Sequence, residues 1–376
     1  LEVPKIKKIL HIISDTNIGG AGKLLLVFLA NFNREEFNVC VVVPRGAKLI
    51  PEISRLNIRV IEFDGIGDKS LALGAIKGLV KLYRSENPDI IHSHASLSAR
   101  MAAKIAKKAI VHTRHSVYDK QSAGTEHGYK KKFPYKQIAG FLNSSLSDKI
   151  IATSPAAKIN LTETGTKQGK TVMIYNAIDA LEPLGDADKM AYRHKYGIGD
   201  EDFVCVMVAR LEKVKGHQYV IKAAQMVQKE DPEVKFLFVG TGSQEDELKK
   251  MTELLKLENV IFTGFLENVQ EALAISDVQI NASYSETTNL ALLEGMSLGI
   301  PAIATDTGGN PFVINDGVNG ILFDLGDYAD LAKAILTLKK DEEEYKHLSQ
   351  RSKEIFNERF TAPVMTRKVE DVYKSL

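Results

Sequence analysis

The feature that most constrains this fold is an alternation of short apolar runs with helical patterns that passes through the chain twice. The first pass opens with a strand run at residues 6–13 and a helical spacing at 24–32. Strand runs follow at 37–43, 58–63, 88–94 and 110–116, with a helix around 71–84. Two further apolar runs, 148–154 and 172–179, close this half. Leu181-Glu182-Pro183-Leu184-Gly185 reads as a linker, after which the pattern restarts with strand runs at 203–208, 236–239, 260–265 and 278–281. Strands that alternate with helices form parallel sheets, and ligands of such sheets gather beyond the carboxyl ends of the strands. A chain of 376 residues is too long for one ordinary core. It predicts an α/β protein of two domains, each of roughly 150 to 200 residues.

Charge excludes some partners. With 49 basic against 48 acidic side chains the net charge is +1, so the whole molecule has no electrostatic case for binding nucleic acid. Cys40 and Cys205 each sit inside an apolar strand run and read as core thiols, which suits a reducing cytoplasm. No apolar run approaches the ~18 residues needed to cross a bilayer. The start, Leu1-Glu2-Val3-Pro4-Lys5, lacks a secretory apolar region, and opening on Leu1 suggests a trimmed start.

The most informative stretch runs from Ser283 to Pro301. It follows the strand run at 278–281 and carries Glu286 and Glu294 on either side of a helix start. Thr287, Thr288 and Asn289 are good cap residues, so 290–298 reads as a helix stopped by Gly299 and Pro301. Unpaired amides in a first helical turn suit a phosphate, while carboxylates accept hydrogen bonds from hydroxyls or amines. Phosphate and hydroxyls together suggest a nucleotide-sugar. Earlier in the same half, Arg210 and Lys215 flank a strand-to-helix connection, where both cations can point at one anion above the sheet. The turn Val239-Gly240-Thr241-Gly242 lacks the third glycine of a dinucleotide fingerprint.

In the first half, Asn17-Ile18-Gly19-Gly20-Ala21-Gly22-Lys23 is a glycine loop after the first strand. It is not a P-loop, because Asn17 and Leu24 stand where a glycine and a hydroxyl are needed. His94 and His115 both fall at strand carboxyl ends. His92 and His94, two apart on a strand, share a face and could meet one metal, yet no Cys, Asp or Glu follows with zinc-like spacing, so no metal is expected. Asp186-Ala187-Asp188 has the letters of a metal-binding Asp-x-Asp but no strand ahead of it, and reads as a solvated linker. Between Tyr129 and Lys136 the chain interleaves Lys130, Lys131, Lys132 and Lys136 with aromatics. Such a segment can rest on anionic lipid, each cation contributing ~1 kcal/mol, and can equally be a solvated loop.

The spacing of Glu286 and Glu294, with Gly308-Gly309 after it, resembles the donor-binding motif of the retaining GT-B glycosyltransferases of family 4, glycosyltransferase group 1. The resemblance implies two Rossmann-like domains facing a central cleft: 1–180 on the acceptor side, 181–358 binding the nucleotide-sugar, and a helix at 359–376 crossing back to the first. It implies that Glu286 lies near the sugar, Glu294 takes the ribose hydroxyls, and Arg210 and Lys215 hold the donor diphosphate. Thr288, Asn289 and Leu290 belong to the same donor motif, Gly240 to the family's Val-Gly-x-Gly, and Phe265 borders the base. From the first domain it brings Gly19 and Gly20 toward the diphosphate and acceptor, and His115, in Val111-His112-Thr113-Arg114-His115, onto the reacting sugar; His94 joins the candidate site by its place at a strand's carboxyl end, without motif support. Thr287-Thr288-Asn289 departs from the Gly-aromatic-Gly of many relatives, which bears on the choice of sugar, and Phe312 stands where a Glu is frequent.

The implied activity is metal-independent, retaining transfer of a sugar from a nucleotide donor, with uridine as the base, to a hydroxyl acceptor such as a lipid-linked or cell-envelope glycan precursor. No cofactor beyond the donor is implied. The setting is the cytoplasm, or the inner face of the plasma membrane if residues 130–136 touch lipid. A GT-B sugar-nucleotide epimerase would keep the nucleotide site but needs an acid/base pair that the sequence does not reveal. A non-catalytic nucleotide-sugar-binding module would have no need of Arg210, Lys215, Glu286 and His115 together.

Overall fold

In the computed structural model, which describes residues 6–94, 96–115, 135–286 and 289–376, both passes of the alternating pattern form parallel sheets. The chain divides into two compact units, one of Leu1–Ala177 with Ala362–Leu376 and the other of Ile178–Thr361. The first is built on β1 (Lys7–Ile13), β2 (Phe37–Pro44), β3 (Arg59–Phe63), β4 (Ile90–His94), β5 (Ala109–Arg114), β6 (Lys149–Ala152) and β7 (Thr171–Met173). Their order across the sheet is β3-β2-β1-β4-β5-β6-β7. The second holds β8 (Phe203–Val208), β9 (Val234–Val239), β10 (Val260–Gly264), β11 (Val278–Asn281), β12 (Ala302–Thr305) and β13 (Gly320–Phe323). These are ordered β10-β9-β8-β11-β12-β13, and the α/β class with two Rossmann-like halves is as the sequence leads one to expect. Each order reverses once, between β1 and β4 and between β8 and β11. At such a reversal the loops beyond the carboxyl ends diverge and open a crevice.

Strands covered on both faces must be apolar on both, which is why they read as continuous runs. In the first unit Ile9, Ile13, Ile90 and Val111 lie under Leu25 and Phe28 of helix Gly20–Asn31 and under Met365 and Val369 of helix Ala362–Lys374. The opposite face packs Leu10, Ile12, Ile91 and Ile110 against Leu79 and Tyr83 of helix Leu73–Glu86 and Ala99 and Ala102 of helix Leu97–Ile105. In the second unit Met207, Phe236 and Phe238 pack against Val220 and Ala224 of helix His217–Glu230. Each of the larger apolar side chains here, fully buried, contributes about 1.5–3 kcal/mol. Cys40 and Cys205 are buried free thiols inside these layers.

The last helix is tied to the first unit by polar bonds as well. The Asn33 amide donates to Glu370 Oε1 at 2.7 Å, and the Lys7 ammonium donates to the Tyr373 carbonyl at 2.9 Å. Tyr373 itself is fully buried.

Some elements depart from the sequence expectation. Strands β12 and β13 are short runs diluted by Ala302, Ala304 and Gly320, and helices Leu49–Arg55 and Leu97–Ile105 are short and rich in alanine or interrupted by proline. The run at 172–179 is strand only as far as Met173. Asp186 and Asp188 are not in a linker. They occupy the first turn of helix Asp186–Lys195, where carboxylates complement the helix dipole. Among the described residues no helix is long and apolar enough to cross a membrane.

Candidate functional site

In the second unit β8 and β11 pair directly, so the loops leaving their carboxyl ends start as neighbours. The first loop carries Arg210 and Lys215, the second Ser283, Tyr284 and Glu286. The Tyr284 amide donates to the Val214 carbonyl at 2.9 Å, which fastens one loop to the other. Lys215 Nζ then meets Glu286 Oε1 at 2.5 Å, with side chains only 18% and 11% exposed. Ser283 Oγ donates to the same oxygen at 2.8 Å. An ammonium has three donors, so two remain for a ligand, and Glu286 Oε2 has no partner among the described residues. Arg210 is exposed and forms no ion pair among the described residues.

Two glycines make this arrangement possible. Gly216 has φ +75° and a Cβ there would lie 2.1 Å from the Ala282 carbonyl oxygen, so no other residue allows the loop after Lys215 to pass so close to β11. Gly308 has φ +57° and its Cβ would stand 2.6 Å from the Glu286 carbonyl oxygen, which also accepts from the Gly309 amide at 2.8 Å. The glycine pair after the helix is thus the wall against which Glu286 is set. Beside Lys215, His217 is buried with neither ring nitrogen partnered among the described residues. Burial first, and then the Lys215 charge, push its pKa down to about 4, so it stays neutral and leaves the ammonium as the local positive charge.

Helix Leu290–Ser297 follows, capped by Asn289, whose Oδ1 accepts from the Ala291 amide at 3.0 Å. Leu290 and Glu294 are half-buried on it. Thr288 lies outside the described residues. Gly240 follows β9 and donates its amide to the Gly264 carbonyl at 2.8 Å. Phe265, one residue beyond β10, leaves 71% of its surface exposed. The structure therefore brings Lys215 and Glu286 into contact and sets Gly240 and Phe265 at the carboxyl ends of neighbouring strands of the same sheet.

In the first unit Gly19 caps helix Gly20–Asn31 without a side chain. At Gly20 a Cβ would meet nothing within 4 Å, and at Gly19 it would stand 3.7 Å from Asp15 Oδ2. Burial, then the nearby Asp68 charge, raise the Asp15 carboxyl above the usual range. Across the sheet reversal from this turn lies a row of side chains. His115 Nε2 and His94 Nδ1 are 3.0 Å apart, His94 Nε2 and His11 Nδ1 3.0 Å, and His11 Nε2 and Tyr373 Oη 3.2 Å. Tyr373 Oη continues to His92 Nδ1 at 2.6 Å, and His92 Nε2 to Thr113 Oγ1 at 2.7 Å.

This row exists because β1 and β4 pair with His11 opposite His92, and His94 follows two residues on, on the same face. Burial holds every imidazole in it neutral: His11 is pushed down to about 3, His115 to about 4, and His92 and His94 well below the ordinary value. A cavity opens beside it, with Leu24, Phe28, Met365 and Val369 among its apolar lining. His112 takes no part, since its Nδ1 pairs with the Ser93 carbonyl at 3.2 Å. His11, His92 and His94 offer nitrogens within 4.8 Å of one another, the beginnings of a metal set, but those nitrogens are hydrogen-bonded within the row. His115 and His94 were legible from their place at strand ends. His11, Thr113 and Tyr373 were not, and Tyr373 lies 362 positions from its partner His11.

Comparison with known proteins matches each half. A family model described as Glycosyl transferases group 1 covers residues 188–355, and one described as Glycosyltransferase Family 4 covers residues 18–180. N-acetyl-alpha-D-glucosaminyl L-malate synthase of Bacillus anthracis is 29% identical over 337 residues, 87% of this chain and 85% of its own length. UDP-Gal:alpha-D-GlcNAc-diphosphoundecaprenol alpha-1,3-galactosyltransferase of Escherichia coli is 28% identical over 273 residues, 70% of this chain and 69% of its own length. Among solved structures, Anabaena HepE in complex with UDP superposes with a TM-score of 0.85 at 23% identity, over 99% of this chain and 100% of its own, a likeness of fold.

Proposed function

Because this chain belongs to the group 1 glycosyltransferases of family 4, we propose that it moves a sugar from a UDP-linked donor to a hydroxyl acceptor, with retention and without a metal ion. The observation that carries this is the Lys215–Glu286 pair at the sheet reversal of the second unit. Its ammonium keeps two donors for the diphosphate, and its carboxylate keeps one oxygen for a sugar hydroxyl. With Arg210 beside the same loop, the cations stabilise the charge that grows on the diphosphate as the glycosidic bond breaks, the place where electrostatic catalysis acts. Glu294 takes the ribose hydroxyls. Asn289, Leu290 and Thr288 frame the helix start, and Gly240 and Phe265 border the nucleotide.

The first unit contributes His115, which orients the donor sugar, with His94 behind it and Gly19 and Gly20 leaving room at the turn. Retention is supported by the state of His115. An inverting enzyme needs a proton acceptor with a pKa near the working pH, and His115, pushed down to about 4, is a poor one. On the retaining route the departing diphosphate oxygen takes the acceptor proton. The names of the relatives support a small hydroxy acid or a lipid-linked glycan as acceptor classes. The basic segment from Lys130 into Lys136, most of it outside the described residues, runs into helix Tyr135–Ser145, which exposes Ile138 and Phe141 by 52% and 69%. Three apart, they share a helical face, and this supports peripheral contact with anionic lipid at the inner face of the plasma membrane.

The test is transfer from an α-linked UDP-sugar in the presence of EDTA, with the product examined by NMR. A small anomeric coupling from a gluco-configured donor is expected. A large coupling means inversion and removes the roles given to Glu286 and His115; activity lost in EDTA and restored by Mn²⁺ removes metal independence.

A further inference from the structure

The row in the first unit has a logic that its separate distances do not display. A neutral imidazole carries one N–H and one bare nitrogen, so it donates through one ring atom and accepts through the other. His94, His11 and His92 each use both nitrogens within the row. The Tyr373 hydroxyl has a single proton and joins two of these rings. With every member neutral and the Tyr373 proton spent within the row, where a buried hydroxyl would otherwise be left an unpaired donor, the donors point the same way along it. Two arrangements satisfy every joint. In one, protons point from His115 toward Thr113 and His115 Nδ1 is bare; in the other they point from Thr113 toward His115 and Nδ1 carries the proton. His115 Nδ1 is also the ring nitrogen of the row that is buried without a partner among the described residues, so the single choice left open to the row is displayed at its outer end.

We infer that Tyr373, on the last helix of the chain, is a positioning residue that couples the tautomer of His115, through His11 and His94, to His92 and Thr113 beyond it. The direction shared along the row decides whether His115 Nδ1 accepts from or donates to a sugar hydroxyl. The inference rests on the proposed contact of His115 with the donor sugar. Tyr373 is suited to the task because its ring is held from several sides: it meets His11, Phe28 and His92 edge-on, with centroids 6.3, 6.0 and 5.7 Å away. Its hydroxyl therefore has a fixed position. Without that hydroxyl the row falls into two pieces, His11 Nε2 loses its partner, and the direction of the His94–His115 pair is no longer tied to His92 and Thr113.

The experiment compares wild type with Tyr373→Phe, which keeps the buried ring, using ¹⁵N-histidine-labelled protein and long-range ¹H–¹⁵N NMR to read the tautomer of each ring. The His115 signal is assigned from a His115→Gln sample. Tyr373→Phe is expected to change the ratio of His115 tautomers from that of wild type, with kcat lowered about tenfold and donor KM within about twofold. A folded Tyr373→Phe protein with an unchanged His115 tautomer overturns the inference, as does a changed tautomer with unchanged kcat. If Tyr373→Phe does not fold, Thr113→Val removes the hydroxyl at the far end instead. It should shift the His115 tautomer balance in the same sense with a smaller loss of kcat, and no shift overturns the coupling. If wild type transfers no sugar at all, the proposed transfer activity fails on its own, and the His115 tautomer in Tyr373→Phe still upholds or overturns the link.

Discussion

The two units use one scaffold in opposite electrostatic styles. Both are parallel sheets with a single reversal of order, and both gather polar side chains at its carboxyl side. In the second unit the polar groups are ionised, and Lys215 and Glu286 tolerate partial burial because each neutralises the other at 2.5 Å. In the first unit the polar groups are more deeply buried and uncharged, and His11, His92, His94 and Tyr373 are satisfied by one another. Burial penalises a charge far more than a hydrogen-bonded neutral group. A cation with unspent donors suits a phosphate, whereas a row of neutral rings ending on one unpartnered nitrogen suits a hydroxyl.

The largest effect expected from breaking this contrast is on the charged side. Lys215→Ala and Arg210→Ala should each lower turnover by about 10²-fold or more. They should differ in stability. Arg210 is exposed and its loss should leave Tm unchanged, whereas Lys215→Ala leaves the Glu286 carboxylate partly buried without its cation, at a cost of about 1–3 kcal/mol. Turnover at the wild-type rate in either folded variant removes the cation pair from the mechanism. A smaller effect belongs to the neutral side and is read as stability against pH. The row histidines bind protons readily only when unfolded, because burial lowers their folded pKa from 6.5 to about 3 in His11 and about 4 in His115. The unfolded chain therefore takes up more protons as pH falls below about 6.5. Their contribution is fully present above that pH and is lost progressively down to pH 4 and 3. Calorimetric Tm should fall over this window, and a Tm that stays flat from pH 7 to 4 would mean that the row is not buried as a neutral unit.

The charged side was far more legible in the sequence than the neutral one, and the reason is local. Arg210 and Lys215 lie on one strand-to-helix connection, and Glu286 and Asn289 on another with Glu294 in the helix that follows, so spacing and cap chemistry suffice to mark them. The contact between Lys215 and Glu286 spans 71 positions, yet it follows once β8 and β11 are neighbours. The row draws on β1, β4, β5 and the last helix at once, and no short-range pattern links Tyr373 to His11. The fold class was legible because apolar runs on alternating elements admit few architectures. Strands β12 and β13 escaped notice because Ala302, Ala304 and Gly320 dilute their short apolar runs, and Asp186 and Asp188 were misplaced because a helix start and a linker share the same small and acidic residues.

The measurement that tests the contrast most directly is calorimetric titration of UDP, which has diphosphate and ribose but no transferred sugar, into wild type, Lys215→Ala and His115→Ala. The account predicts that Lys215→Ala weakens UDP binding by about 30-fold or more, the loss of a charge-assisted contact to phosphate. His115→Ala should leave the affinity within about twofold of wild type while turnover falls. Equal loss of UDP affinity in both variants, or wild-type affinity in Lys215→Ala, would contradict the division of labour between a charged unit that holds the diphosphate and a neutral unit that meets the sugar.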